Sequence, residues 1–204
     1  MAGRYYNKES QRRRRGSALP MILLIIAGLN FVMVAMAPEA LKIIAPGSFY
    51  QALWVIPPVT VSVYFLFMYN LFATFEYYYN KTKWVMVASL VGAVSNIVLN
   101  LIFIPKFGFI AAGYTTLVSN IIYAAMHYVF MLHVCDKFEN GVRVYDLKKI
   151  LLIGGALIVA SGIMTLLYNY TIIRYVILLA VAVIAFCFRK RILGVFAEMK
   201  NKKS

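Results

Sequence analysis

Residues 96–114 read NIVLNLIFIPKFGFIAAGY. An apolar run breaks at Pro105-Lys106-Phe107-Gly108 and then resumes, the pattern of two helices joined by a tight turn. The first half carries two amides, Asn96 and Asn100, four residues apart and therefore on one face of a helix. The same alternation of long apolar run and short polar break extends along the whole chain of 204 residues. Six apolar stretches result, at residues 19–36, 53–77, 84–104, 109–133, 150–168 and 172–188, the last being the shortest. Backbone polar groups cannot stay unpaired in hydrocarbon, and runs this long without period-two alternation are helices rather than barrel strands. The expected fold is all-α: a polytopic membrane domain of six transmembrane helices over residues 19–188. A basic segment at 1–18 precedes it and a basic tail at 189–204 follows.

Composition excludes most other classes. Hydrophobic residues make up 63% of the chain and charged residues 14%, with a mean hydropathy of +0.78. Soluble domains are nearer half apolar and a quarter charged. Cys135 and Cys187 lack the spacing of a metal or redox site, and two cysteines make no disulfide framework. His127 and His133 are six apart and do not share a helix face, so no metal site and no cofactor is expected.

The basic residues fix an expected topology. Six Lys or Arg precede the first stretch, two follow the second (Lys81, Lys83), four follow the fourth and six lie in the tail. The three alternate loops hold one each, Lys42, Lys106 and Arg174. The positive-inside rule places the rich side, with both termini, in the cytoplasm. The net charge of +14 and the run Arg12–Arg15 then serve orientation and anionic headgroups, at about 1 kcal/mol per residue near the surface, rather than nucleic acid. Residues 1–37 imitate a signal peptide with Ala35-Met36-Ala37 as its small-residue site. The apolar stretch is longer than usual and Pro38 follows the cut, so a retained helix is expected.

Aromatic residues mark the ends of the stretches. Tyr77, Tyr78, Tyr79 and Trp84 flank one loop, and Tyr50 and Trp54 flank the far end of the second stretch, where rings prefer headgroup depth. The loops are too short for a globular catalytic module, so no enzyme is expected.

Polar residues inside the stretches are the site candidates. In the third, Ser89, Gly92, Asn96 and Asn100 share a face. In the fourth, Gly108, Ala112, Thr116 and Asn120 follow at intervals of four, with Ala111, Thr115 and Ser119 beside them and His127 farther along. The spacing suits a packed hairpin glued by amides, and it equally suits a polar face toward a hydrated cavity. Pro57-Pro58 is expected to kink the second stretch one turn inside its end. Farther along lie Asn70, Thr74 and Glu76, the one acid within a predicted span, with an expected ion pair to Lys81 or Lys83. Asn30 is a weaker candidate in the first stretch.

YYYNKTKW (77–84), NIVLN (96–100) and IPKFGFIAAGYTT (104–116) with Ser119 together resemble the polysaccharide and O-antigen flippases. These are Wzx-like transporters of the multidrug/oligosaccharidyl-lipid/polysaccharide exporter superfamily. PEALKIIAPGSFYQA (38–52) and the basic opening segment also look like the corresponding stretches, and the resemblance covers most of residues 1–135. It implies one lobe, the C-terminal one, of a two-lobe exporter in the bacterial inner membrane. Such an exporter translocates an undecaprenyl-diphosphate-linked oligosaccharide between two lobes that rock around a midplane site. Its partners are membrane lipids, that substrate and an N-terminal lobe or partner chain. This sequence has no Lys or Arg within a predicted span, so the N-terminal lobe is expected to supply the basic groups that meet the diphosphate. Two other classes fit less of the pattern. A membrane transferase, polymerase or ligase of the same lipids needs acid–base groups or a basic outer loop, and a truncated chain that folds without transporting needs neither.

Overall fold

The computed structural model describes residues 2–45, 47–138 and 145–189, with 2–18 and 48 described by backbone alone. The basic tail at 190–204 and the side chains of Arg12–Arg15 therefore lie outside the described residues. All regular structure among the described residues is helical: α1 Ala2–Ala35, α2 Ala37–Ile44, a 3₁₀ segment Gly47–Trp54, α3 Ile56–Tyr78, α4 Thr82–Phe107, α5 Ile110–Phe138, α6 Leu147–Leu166 and α7 Thr171–Cys187. The all-α membrane reading holds at this level. Among the described residues, four candidate spans are long and apolar enough to cross a bilayer: Phe49–Tyr78, which joins the 3₁₀ segment to α3, then α4, α5 and α6. They become five if α1 and α2 form one bent span. The sixth predicted stretch does form a helix, but α7 has only 17 residues and at 1.5 Å per residue is about 25 Å long, short of a 30 Å hydrocarbon core.

The first stretch departs from expectation at both ends. The basic segment and the first apolar stretch are one continuous helix, α1. After Met36 the chain turns by 57° into α2. Pro38 sits in the first turn of α2 and has no N–H to offer the carbonyl four residues back, Val34. That carbonyl accepts a hydrogen bond from the Tyr168 hydroxyl at 3.0 Å, and the neighbouring Ala35 carbonyl accepts one from Arg174 Nη1 at 2.7 Å. The bend is thus held open by two side chains from the far end of the chain.

Pro57 and Pro58 lie in the first turn of a helix rather than in its interior. They occupy the first positions of α3, where the N–H groups have no intrahelical acceptor, and they mark the change from 3₁₀ to α geometry. Among the described residues, the apolar helix pair broken by a bend above 40° is α1–α2, at Met36. Between α3 and α4, Asn80 takes the left-handed turn at φ 54°, a conformation that Asn tolerates. Between α4 and α5 the turn is one step later than its sequence suggests. Pro105 lies inside the last turn of α4, and the chain reverses at Gly108, φ 72°, whose N–H caps the Ile104 carbonyl at 2.8 Å.

α5 is the centre of the packing. It lies against α4 as an antiparallel hairpin and along α3, while α1 covers α3 and α6. The main core gathers Leu23, Tyr64, Phe72, Met131, Ile150 and Leu157. A smaller one at the α1–α2 bend joins Val34, Ala35, Leu53, Met164 and Tyr168. Gly113 of α5 allows a close approach to the start of α3: a Cβ there would stand 3.0 Å from Pro58 and 3.1 Å from the Val55 carbonyl. α4 buries one face only, leaving Leu90, Val94, Ile97 and Leu101 exposed, as suits a lipid-facing helix.

Candidate functional site

The two asparagines that interrupt the apolar run close a ring of hydrogen bonds between α4 and α5. The Thr115 hydroxyl donates to Asn100 Oδ1, and Asn100 Nδ2 donates to Asn96 Oδ1 at 3.0 Å. Asn96 Nδ2 donates to Ser119 Oγ at 3.3 Å, and the Ser119 hydroxyl donates to the Thr115 carbonyl at 2.7 Å. Each group donates to the next, so the ring has one direction and closes on itself. Two turns toward the α3–α4 loop, Ser89 Oγ and the Tyr123 hydroxyl lie 3.1 Å apart. Gly92 lets the Tyr123 ring lie against α4, since a Cβ there would meet the ring at 3.1 Å. The whole face Ser89–Gly92–Asn96–Asn100 therefore meets α5.

On α5 the column that meets this face is Thr115–Ser119–Tyr123, the neighbour of the one singled out by spacing. Thr116 is not in the ring and donates to the Ala112 carbonyl of its own helix at 2.7 Å. Asn120 lies beside the ring and, with Ser89, Asn96, Ser119, Tyr123 and Leu66, lines an open groove of about 280 Å³. No lining residue is charged. Asn96 thus does both jobs that its position allows: it ties the hairpin and borders the groove. Asn70 and Thr74 do neither. Both are exposed, and they donate to the Leu66 and Asn70 carbonyls of their own helix. Asn30 is buried and likewise bonds its own helix, at the Ile26 carbonyl.

Glu76 is paired, but not with a lysine. Its Oε1 lies 2.7 Å from Nδ1 of His127, and both side chains are 0% exposed. Lys81 instead sits over the Phe138 ring, 5.1 Å from its centroid. Glu76 Oε2 and His127 Nε2 are buried with no hydrogen-bond partner among the described residues. Around the imidazole, Tyr69 and Tyr123 form an aromatic wall with centroids 5.3 and 4.7 Å away. Tyr123 thus links the pair to the groove.

A further buried pair, an Arg–Glu ion pair, was not legible as a site. Arg174 of α7, read as a loop residue, is 1% exposed. It makes a bidentate bridge to Glu39 of α2, Nη2 to Oε1 at 2.6 Å and Nη1 to Oε2 at 2.9 Å. Together with its bond to the Ala35 carbonyl, this ties α7 to the α1–α2 bend. Among the described residues no group of three or more metal-ligating side chains comes together. No protein family, curated protein or solved structure matches this chain.

Proposed function

We propose that the chain is one lobe of a flippase that moves a lipid-linked oligosaccharide across the bacterial inner membrane. In this reading it has six spans with both termini cytoplasmic. The observation that carries the reading is the groove between α3, α4 and α5: hydroxyl and amide groups of Ser89, Asn96, Ser119, Asn120 and Tyr123 gathered in helices otherwise apolar enough for lipid. Neutral donors and acceptors beside an aromatic ring suit sugar hydroxyls, which offer both roles at every position. They do not suit a diphosphate. In this reading the N-terminal lobe supplies that charge, and the two lobes rock about the shared site. The family resemblance in residues 77–84, 96–100 and 104–116 supports the same assignment, because those segments build the hairpin that borders the groove.

Binding tests the reading before transport does. The purified chain in lipid nanodiscs is mixed with an undecaprenyl-diphosphate-linked oligosaccharide or with undecaprenyl phosphate alone, and bound lipid is read by native mass spectrometry. The expected result is preference for the glycosylated lipid, reduced about tenfold by Asn120→Ala, the equivalent of one lost hydrogen bond of about 1.4 kcal/mol. Equal binding of both lipids, unchanged by Asn120→Ala, refutes it.

A further inference from the structure

A second groove lies between α1 and α6 and shares no lining residue with the one between α3, α4 and α5. It measures about 300 Å³ and is lined by Pro20 and Leu24 of α1 and by Lys148, Lys149, Leu152 and Ile153 of α6. Pro20 and Leu24 are four residues apart, as are Lys148 and Leu152, and Lys149 and Ile153, so each wall is a turn of one helix face. Polarity changes along the groove. On α6 the two lysines come first, and Leu152 and Ile153 stand one turn deeper. The apolar stretches of these helices begin at residues 19 and 150, which puts the lysines at the hydrocarbon boundary and the other four lining residues within it. Leu24 and Leu152 are exposed, so in a membrane the groove opens sideways to lipid.

Orientation of the chain asks only for basic residues somewhere in this loop. Lys148 and Lys149 occupy a narrower place, the first turn of α6, where the helix end itself carries partial positive charge. They do not stabilise the helix that bears them. The Asp146 carboxylate accepts a hydrogen bond from the Lys149 N–H at 3.4 Å, and its other oxygen lies 3.4 Å from Lys149 Nζ. With side chains 66% and 48% exposed, such an ion pair is worth at most about 1 kcal/mol, so Lys149 can turn to another anion at little cost. On the other wall, α1 carries Arg12–Arg15 between five and eight residues before Pro20, so both helices bring a basic segment to this end of the groove.

We propose that the α1–α6 groove binds one anionic phospholipid, its phosphodiester at Lys148 and Lys149 and an acyl chain along Pro20, Leu24, Leu152 and Ile153. Charge and polarity both select this occupant. The lysines call for a negative head, and the four apolar residues call for a hydrocarbon chain on the membrane side of it. A free phosphate uses only the lysines. A sugar finds no hydroxyl or amide side chain among the lining residues. A groove that opens sideways to the bilayer fills from the bilayer, and basic pockets between membrane helices hold anionic headgroups in this way. The bound lipid then bridges α1 and α6 at the level of the headgroups. Because the two grooves share no residue, this site stands whether or not the other one binds an oligosaccharide.

The test uses the full chain in a neutral detergent, titrated with phosphatidylglycerol or with phosphatidylcholine of the same acyl chains, and native mass spectrometry counts bound lipid. One phosphatidylglycerol is expected to bind in preference to phosphatidylcholine. At about 1 kcal/mol per basic residue near a headgroup, affinity is expected to fall about fivefold for Lys148→Gln and about thirtyfold for Lys148→Gln/Lys149→Gln. Lys81→Gln/Lys83→Gln removes the same charge elsewhere and is expected to leave binding unchanged. Leu24→Trp fills the groove without altering charge and is expected to weaken binding at least fivefold. If that variant does not fold, Leu152→Trp, at a more exposed position, serves in its place. Equal binding of both lipids overturns the proposal, as does an equal loss in the Lys81/Lys83 variant, which marks diffuse attraction to the net charge. Full binding after the groove is filled overturns it too. So does displacement of phosphatidylglycerol by equimolar undecaprenyl phosphate, or a lipid-free dimer that Leu24→Trp dissociates, since the groove then belongs to a polyprenyl lipid or to a second copy of the chain.

Discussion

Removing either partner of the Glu39–Arg174 bridge breaks its two hydrogen bonds, yet the two losses are expected to differ because what remains differs. The Arg174 side chain is 2% exposed and that of Glu39 is 21% exposed. Glu39→Ala strands a buried guanidinium that, among the described residues, keeps only the Ala35 carbonyl as acceptor and has no partner for its Nε. A buried charge left without its partner costs about 3–5 kcal/mol. Arg174→Met strands a carboxylate that water already reaches, in the first turn of α2, where the helix end favours negative charge by about 0.3–1 kcal/mol. What it loses is mainly the cap on the Ala35 carbonyl, about 1–3 kcal/mol. The expected order is Glu39→Ala worse than Arg174→Met. The double variant is expected to be no worse than Arg174→Met by more than about 0.5 kcal/mol, because once the cation is gone Glu39 has little left to do. Trp54 lies 6.2 Å from the Tyr168 ring beside this site, so its fluorescence in a Trp84→Phe background follows local unfolding during titration with dodecyl sulfate. Additive effects, or Arg174→Met costing as much as Glu39→Ala, would refute the reasoning.

Other consequences follow from single contacts. In the same unfolding assay Asn100→Leu and Thr115→Val are expected to couple by about 0.6 kcal/mol, with about 1.7 as a ceiling for membrane hydrogen bonds; zero coupling would remove the ring. Gly113→Ala forces a methyl against Pro58 and the Val55 carbonyl and is expected to cost about 1–3 kcal/mol. Gly155→Ala, with nothing within 4 Å, is expected to stabilise by up to about 1 kcal/mol, and the same sign for both would refute the packing argument. Tyr168→Phe should cost about 1–3 kcal/mol by uncapping the Val34 carbonyl. In a Pro38→Ala background, where a backbone N–H is restored, that cost should vanish; an unchanged cost sinks this account of the bend.

What the sequence made legible is what local properties decide. Hydropathy and run length locate the helices because membrane insertion responds to a segment's own side chains. The α4–α5 reversal is local too, since one glycine with positive φ suffices. The bend at Met36 is half local. Pro38 is visible, but the groups that cap the freed carbonyls lie 134 and 139 residues away and have no local signal.

The choice between the two columns on α5 fails for a geometric reason. Successive i+4 steps advance about 40° beyond a full turn, so a column of fours winds around the helix instead of staying on one face. Columns starting one residue apart differ by about 100°, and a hairpin turn alone does not choose between them. The choice falls to a third helix. α5 must also present Gly113 to Val55 and Pro58, and His127 to Glu76, and the rotation that satisfies α3 delivers Thr115 and Ser119 to α4. The same argument explains Glu76. Lys81 is five residues on, beyond the end of α3, so nearness in sequence gives it no place on the same face. His127 is 51 residues away in the chain but adjacent in space, because α4 returns the chain so that α5 runs alongside α3 in the same direction. A buried Glu–His contact between non-consecutive helices is set by their relative register, and that register exists only once the bundle is packed.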